Sequence, residues 1–336
     1  LIKKGTILFF LCCIYLNVNA QDPFLSQVYG AAQFLSPATV GNGVYQSRAQ
    51  SNYRSQSMAG NSLYRTIVVG WDGRYKNKNP DVRNYLGLGG QIISDQVMNG
   101  VLQTNYATLN AAYHMYFDDE MEKNFSLGLG VTFTQSNLQL DKLKFYDQFS
   151  QGIFINNSQS ISLQNLNNSA SKVSVNTGLL YTKHNENSFF QFSANAFFMS
   201  KPELTINNNA EATTLKSLVF FNFEKEVNDN KKTVMMHASY SNRGNMNQLL
   251  VGAAFSLPFG SYYEYVNRIY AGLFYRVGDA VIPQFSILTK QYRFGISYDV
   301  YSRGMTGAML NPNSFELSFS TGFGKKRSNN FRTIFD

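Results

Sequence analysis

The stretch NFSLGLGVTFTQ, residues 124–135, alternates without a break. Phe125, Leu127, Leu129, Val131 and Phe133 are apolar, and Ser126, Gly128, Gly130, Thr132 and Thr134 are small or polar. At about 100° per residue a helix scatters these apolar positions around its cylinder, whereas a strand puts all five on one face. A strand with one oily face and one face of glycine, serine and threonine has two possible homes. In a soluble sheet the oily face points into a protein core. In a membrane barrel it points out into lipid.

The rest of the chain separates the two. Alternating segments recur at 44–53, 63–71, 85–93, 103–117, 124–135, 173–181, 189–198, 215–225, 233–241, 247–256, 266–276, 280–289, 292–301 and 314–323. These predict about 14 antiparallel strands. The connections alternate in kind. DDEMEK, KHNEN, VNDNKK and TKQ are short charged turns that follow even-numbered strands, so they share one side. The long connections 136–170 and 199–214 follow odd-numbered strands and share the other. The connections around GRYKNKNPDVRN and LPFGSYYEY are longer than this pattern wants. An outer-membrane barrel sorts its loops by parity in this way, and a sandwich has no reason to. The fold class is therefore all-β: a transmembrane antiparallel β-barrel with long loops on one side and short turns on the other. The alternative is a soluble β-protein, which would purify without detergent.

Charge placement agrees. A Lys or Arg facing mid-membrane lipid costs about 2–4 kcal/mol. No charge interrupts the apolar faces of 125–133 or 190–198, and Arg48 and Arg293 fall on the polar parity of their strands. Arg65 is an exception, sharing parity with Leu63 and Ile67. No stretch after residue 20 offers 18 consecutive apolar residues, so transmembrane helices are not expected.

Residues 1–20 read as a signal peptide: a basic start (LIKKGT), an apolar run (ILFFLCCIYL) and a cleavage site expected between Ala20 and Gln21. A lipoprotein signal is the rival, because Cys12 and Cys13 lie inside. Both cysteines of the chain belong to this segment, so disulfides and thiolate chemistry are not expected in the mature protein. Loss of Lys3 and Lys4 lowers the formal net charge from +8 to +6. The remaining basic residues are dispersed, and no run suggests a nucleic-acid partner. Residues 21–43 mix apolar residues with Pro23 and Pro37. They are expected to form a segment packed on or in the barrel of residues 44–324, with 325–336 as a tail.

Candidate chemistry is sparse. His114, His184 and His237 lack metal-ligand spacing. His114 and His237 fall in strands and His184 in a turn. The acidic cluster Asp118, Asp119, Glu120 and Glu122 lacks the spacing of a calcium loop. The glycine-rich stretches 87–90 and 127–130 have no following helix to bind phosphate, and read as small lumenal positions. Neither a cofactor nor an enzymatic activity is expected. The polar loop 136–170 carries LDKLKFYDQF, which is more aromatic than a spacer requires. Because loops on a rigid scaffold are where binding concentrates, Leu143, Phe145, Tyr146, Asp147 and Phe149 are the candidate partner-binding residues. The alternative is that they only cap the barrel mouth.

Several segments together resemble the PorP/SprF family of outer-membrane proteins of the Bacteroidetes type IX secretion system. They are QDPFLSQVY and FLSPATVG near the start, NYRSQ (52–56), KLKFYDQF (142–149), FYRVGDAVIP (274–283) and RFGISYDV (293–300). Ser57 stands where a tryptophan is expected after NYRSQ, and the tail GKKRSNNFRTIFD runs past the last strand. The resemblance implies a non-enzymatic outer-membrane protein that helps secrete large adhesins, including those of gliding motility, and hold them at the surface. Its implied partners are the C-terminal domain of such an adhesin, periplasmic ring components of the secretion system and outer-membrane lipid. A diffusion porin or small-solute transporter is the alternative.

Overall fold

The computed structural model describes residues 24–58, 61–76, 83–143, 145–150, 153–154, 168–197, 215–227, 231–244, 246–260, 267–301, 313–326 and 334–335. The expected signal peptide lies outside the described residues. The strands are β1 (Ser47–Met58), β2 (Asn61–Lys76), β3 (Tyr85–Val97), β4 (Leu102–Tyr116), β5 (Lys123–Leu138), β6 (Phe149–Ser150), β7 (Ile153–Phe154), β8 (Ser169–His184), β9 (Ser188–Phe197), β10 (Lys216–Glu226), β11 (Thr233–Arg243), β12 (Met246–Phe259), β13 (Asn267–Arg276), β14 (Ala280–Thr289), β15 (Tyr292–Tyr301) and β16 (Asn313–Phe323). Among the described residues, fourteen of these form one closed antiparallel barrel, and β6 and β7 form a separate hairpin in the β5–β8 connection. The barrel closes where β1 pairs with β16, from Ser47 opposite Phe323 to Ser57 opposite Asn313.

Each strand anticipated from alternation is present. Boundaries differ by a few residues, and His184 proves to be the last residue of β8 rather than part of a turn. The side on which β1 begins and β16 ends is here called the terminus side, and the opposite one the loop side. β5, β9 and β15 end on the loop side, where the long connections begin, and β4, β8, β10 and β14 end on the terminus side, where the short turns begin. The loop side also carries tight connections, such as 98–101 between β3 and β4 and 277–279 between β13 and β14.

Strand β5 shows why the alternation exists. Along β5 exposed and buried residues alternate: Leu127, Leu129, Val131 and Phe133 face out, and Ser126, Thr132 and Thr134 face in. Neighbouring strands repeat this, with Leu109 on β4 75% exposed and Thr108 buried. The outward apolar residues, among them Ile92, Val173, Phe294, Ile296 and Leu317, form the lipid-facing band. Inside, the small polar residues bond laterally. The Thr108 and Thr132 hydroxyls are 2.9 Å apart, and Asn176 Nδ2 donates to Thr132 Oγ1 at 2.8 Å. Arg65 is exposed on the outward face of β2, near that strand's loop-side end.

The inner wall is of two kinds. From β8 to β14 it carries one buried apolar cluster, with Leu180, Phe197, Leu218, Phe220, Leu250, Phe274 and Ile282, set among buried polar residues such as Asn195, Glu224 and Arg268. Around β1, β15 and β16 it is polar and charged, with Arg48, Arg54, Arg293, Asp299 and Glu316 all buried. A charge introduced on the oily face tests which side meets lipid. Leu129→Arg is expected to destabilise the folded barrel by about 2–4 kcal/mol, with Leu129→Phe nearly neutral, as read from urea unfolding in lipid vesicles.

Candidate functional site in the barrel lumen

Residues 24–46 run through the lumen from the loop side to the terminus side. Their first residues meet the loop-side ends of β1, β13, β15 and β16. The Ser26 and Gln27 backbone N–H groups donate to the Glu316 carboxylate at 2.7 and 2.9 Å. Ser26 Oγ donates to Asp299 at 2.9 Å, and accepts from Arg54 and Arg276 at 2.7 and 2.8 Å. Arg54 also pairs with Asp299 (2.7 Å) and Glu316 (3.3 Å), and Arg276 with Asp299 (2.6 Å). The Phe24 ring packs on both guanidiniums, 4.3 Å from that of Arg54 and 4.2 Å from that of Arg276. Asn52 Nδ2 completes the cluster by donating to Glu316 at 2.7 Å.

Four charges have left water here, and two carboxylates face two guanidiniums. Such a cluster is tolerable only because nearly every lone pair is engaged. It acts as a clasp that fastens the start of the segment to strands on both sides of the barrel closure.

Further along, Tyr29 Oη lies 2.7 Å from Ser286 Oγ. The short helix α1 (Ala32–Leu35) presents Gln33, which donates to the Trp71 carbonyl at 3.0 Å and accepts from Asn110 at 3.2 Å. The 3₁₀ turn Pro37–Thr39 is capped by Ser36, whose hydroxyl accepts from Ala38 N–H at 3.1 Å. This turn packs against β4, β5 and β8, and the wall glycines explain how. A Cβ at Gly128 would overlap the Ala38 backbone, and one at Gly87 would overlap the Val40 carbonyl. Near the terminus side, His114 Nε2 lies 2.7 Å from Val40 O, with its ring stacked on Tyr85. Gly41 N–H donates to Asp72 (2.8 Å), itself paired with Arg48 (3.1 Å). Arg74 donates to the Val44 carbonyl at 3.0 Å, immediately before the chain enters β1.

The residues singled out from sequence lie elsewhere. Leu143, Phe145, Tyr146, Asp147 and Phe149 sit together on the β5–β8 connection, on the loop side. Tyr146 and Asp147 belong to the 3₁₀ turn Tyr146–Gln148, and Phe149 to the β6–β7 hairpin. Tyr146 is 94% exposed, Asp147 and Phe149 are exposed, and Leu143 and Phe145 are half-buried. Phe145 N–H donates to Gln148 Oε1 at 2.9 Å, which shapes the turn. Sequence reasoning missed the clasp residues, although Arg54, Arg276 and Asp299 stand within NYRSQ, FYRVGDAVIP and RFGISYDV. Among the described residues no group of histidine and acidic side chains has metal-site geometry.

A family model described as type IX secretion system membrane protein PorP/SprF matches residues 17–321. The chain belongs to the PorP/SprF family. None of the curated proteins compared with it matches in sequence. Among solved structures it resembles a Pseudomonas aeruginosa FadL homologue, at a TM-score of 0.51 and 8% identity, covering 87% of this chain and 93% of that one. It is also similar to a deletion mutant of the monoaromatic hydrocarbon channel TodX, at a TM-score of 0.50 and 11% identity, covering 87% and 94%. At such identities the likeness is one of fold. Family and fold are those of outer-membrane secretion or transport barrels, not of an enzyme family.

In this PorP/SprF protein the clasp is open to a direct test. Arg54→Ala leaves Asp299 and Glu316 short of a buried partner and is expected to cost about 3–5 kcal/mol. It should also raise hydrogen exchange at the backbone amides of residues 25–30. Arg83→Ala, which removes the solvent-exposed pair with Asp119, is expected to cost less than about 1 kcal/mol and leave those amides protected.

Proposed function

We propose that this protein is a platform, not a pore. In this reading it is an outer-membrane component of the type IX secretion system that captures the C-terminal domain of a secreted large adhesin, of the gliding-motility type, and holds it at the cell surface. The observation that carries the reading is the filled lumen. Residues 24–46 occupy it and are bonded to the wall from Glu316 at one end to Arg74 at the other. A bore so occupied favours binding on the loops over conduction through the barrel.

With long loops outside and short turns in the periplasm, the segment 139–168 faces outward and the terminus side faces the periplasmic ring components of the secretion system. Tyr146 and Phe149 then act as aromatic anchors of the kind that dominate protein interfaces, with Leu143, Phe145 and Asp147 shaping the same surface. A diffusion porin or small-solute transporter, the class to which the hydrocarbon channel TodX belongs by name, requires a path past residues 24–46.

Deleting the gene is expected to leave the adhesin off the cell surface, and a pull-down from detergent-solubilised membranes should recover an adhesin C-terminal fragment. Tyr146→Ala with Phe149→Ala should weaken that capture at least about tenfold, roughly 1.4 kcal/mol, without changing barrel stability. Normal surface display in the deletion strain, or porin-like conductance of the purified barrel in planar bilayers, would overturn the reading.

A further inference from the structure

The outer wall carries a groove where the barrel closes. It crosses β14, β15, β16, β1 and β2 and has a volume of about 530 Å³, within the range of about 300–1,000 Å³ usual for ligand sites. Two rows of outward side chains form its banks. On the loop-side bank Tyr53, Leu317, Ile296 and Phe285 stand in register across four strands, and Ile67 carries the row onto β2. On the terminus-side bank Phe319, Phe294 and Ile287 stand in register, with the Phe294 and Phe319 ring centroids 4.9 Å apart. The next position in that bank is Ser51, between Phe319 on one side and Val69 on the other. A serine in a row of large apolar residues leaves the bank low. Asn52, Ser318 and Gly295 form the floor, at positions whose side chains point into the lumen. Ser318 Oγ donates to Gln27 Oε1 at 2.6 Å, so the N-terminal segment braces the floor from within.

The groove opens into the lipid-facing band, so what fills it comes from the membrane. Hydrocarbon is as apolar as the wall, and burial from water supplies no driving force between the two. Contact does. An unfilled gap leaves its lining atoms without partners and forfeits their dispersion energy. A narrow, pre-formed trough with aromatic and branched banks suits a single flexible acyl chain. We propose that the groove is a phospholipid site: it holds one acyl chain of a lipid in the terminus-side leaflet, whose phosphate lies at Lys290 and Lys325.

The rim below the groove selects the leaflet and the headgroup charge. Ile287 and Phe294 stand close to the terminus-side ends of β14 and β15. Tyr292 and Phe323 face outward there, as the aromatic girdle of a barrel does at headgroup level. Lys290, in the turn between β14 and β15, and Lys325, just after β16, are exposed at the same rim. The sequence holds no acidic residue from Leu288 to Tyr298 or from Leu317 to Phe335, so the two cations face a phosphate without local competition. The proposal concerns the lipid-facing wall and is independent of what the loops capture.

The test uses the full chain with its sole tryptophan moved. Trp71→Phe with Tyr53→Trp places the reporter in the groove, and Trp71→Phe with Phe133→Trp places it on the outward face of β5. Both proteins are reconstituted in phosphatidylcholine vesicles containing increasing fractions of phosphatidylglycerol with brominated chains, which quench tryptophan on contact. Quenching at position 53 is expected to be half complete at a fraction at least about fivefold lower than at position 133, the factor that one lysine supplies toward an anionic headgroup. Ser51→Phe, which raises the low bank and adds only an apolar group to the lipid face, should remove that difference. Lys290→Gln with Lys325→Gln should remove it as well. Equal curves at positions 53 and 133, the behaviour of ordinary boundary lipid, overturn the proposal. So does a preference that survives either change. A tryptophan at position 53 that brominated lipid never quenches would mean that a second copy or another protein covers the groove, and overturns it too.

Discussion

Hydrocarbon offers no partner to a backbone N–H or C=O group. A chain that crosses a membrane in strands must therefore pair each strand on both sides, and the sheet must close on itself. The rest of this molecule depends on that closure. It is achieved by the full-length pairing of β1 with β16. Once the ring is closed, side-chain parity has only two destinations, lipid or lumen. The strict alternation of residues 125–133 is that choice written into a sequence.

The outward face meets a solvent as apolar as itself, so the protein's own packing must come from inside. Two segments of the chain supply it. The N-terminal one threads the bore and presses its backbone against wall positions that have no room for a side chain, Gly87 and Gly128 among them. Where the wall is polar the segment is fastened by hydrogen bonds and buried ion pairs. Where the wall is apolar, Val28, Tyr29 and Leu35 pack into a conventional hydrophobic cluster together with Ile334 and Phe335. Arg293 lies between the two segments, against Tyr29 on one side and the Ile334 carbonyl on the other.

The strands were legible because a period of two survives any tertiary arrangement. Their edges were less so, because β8 continues past its apolar run to His184, and turn residues with strand-like neighbours carry no stop signal. The clasp was illegible for a different reason. Arg54, Arg276, Asp299 and Glu316 each read simply as a charge on the lumenal parity of a strand. Nothing local says that four strands bring them to one point, because that depends on ring closure joining the two ends of the chain. What the sequence did offer was indirect: Phe24, Ser26, Arg54, Arg276 and Asp299 of the clasp all stand in segments that carried the family resemblance. The seat of Ile334 and Phe335 was equally hidden. The dipeptide Ile334–Phe335 looks like any short apolar pair until it is seen between β10 and β15.

The clasp also ties the segment to the barrel seam. Ser26 and Gln27 are bonded to Glu316 on the final strand and to Asp299 on the one before it, while the same segment is continuous with β1 through Val44. These bonds can form only when β15 and β16 stand beside β1, so the fastening of the segment and the closed seam support each other. A chain without residues 24–27 would keep the β1–β16 seam but lose what fills the space between Arg54, Arg276, Asp299 and Glu316.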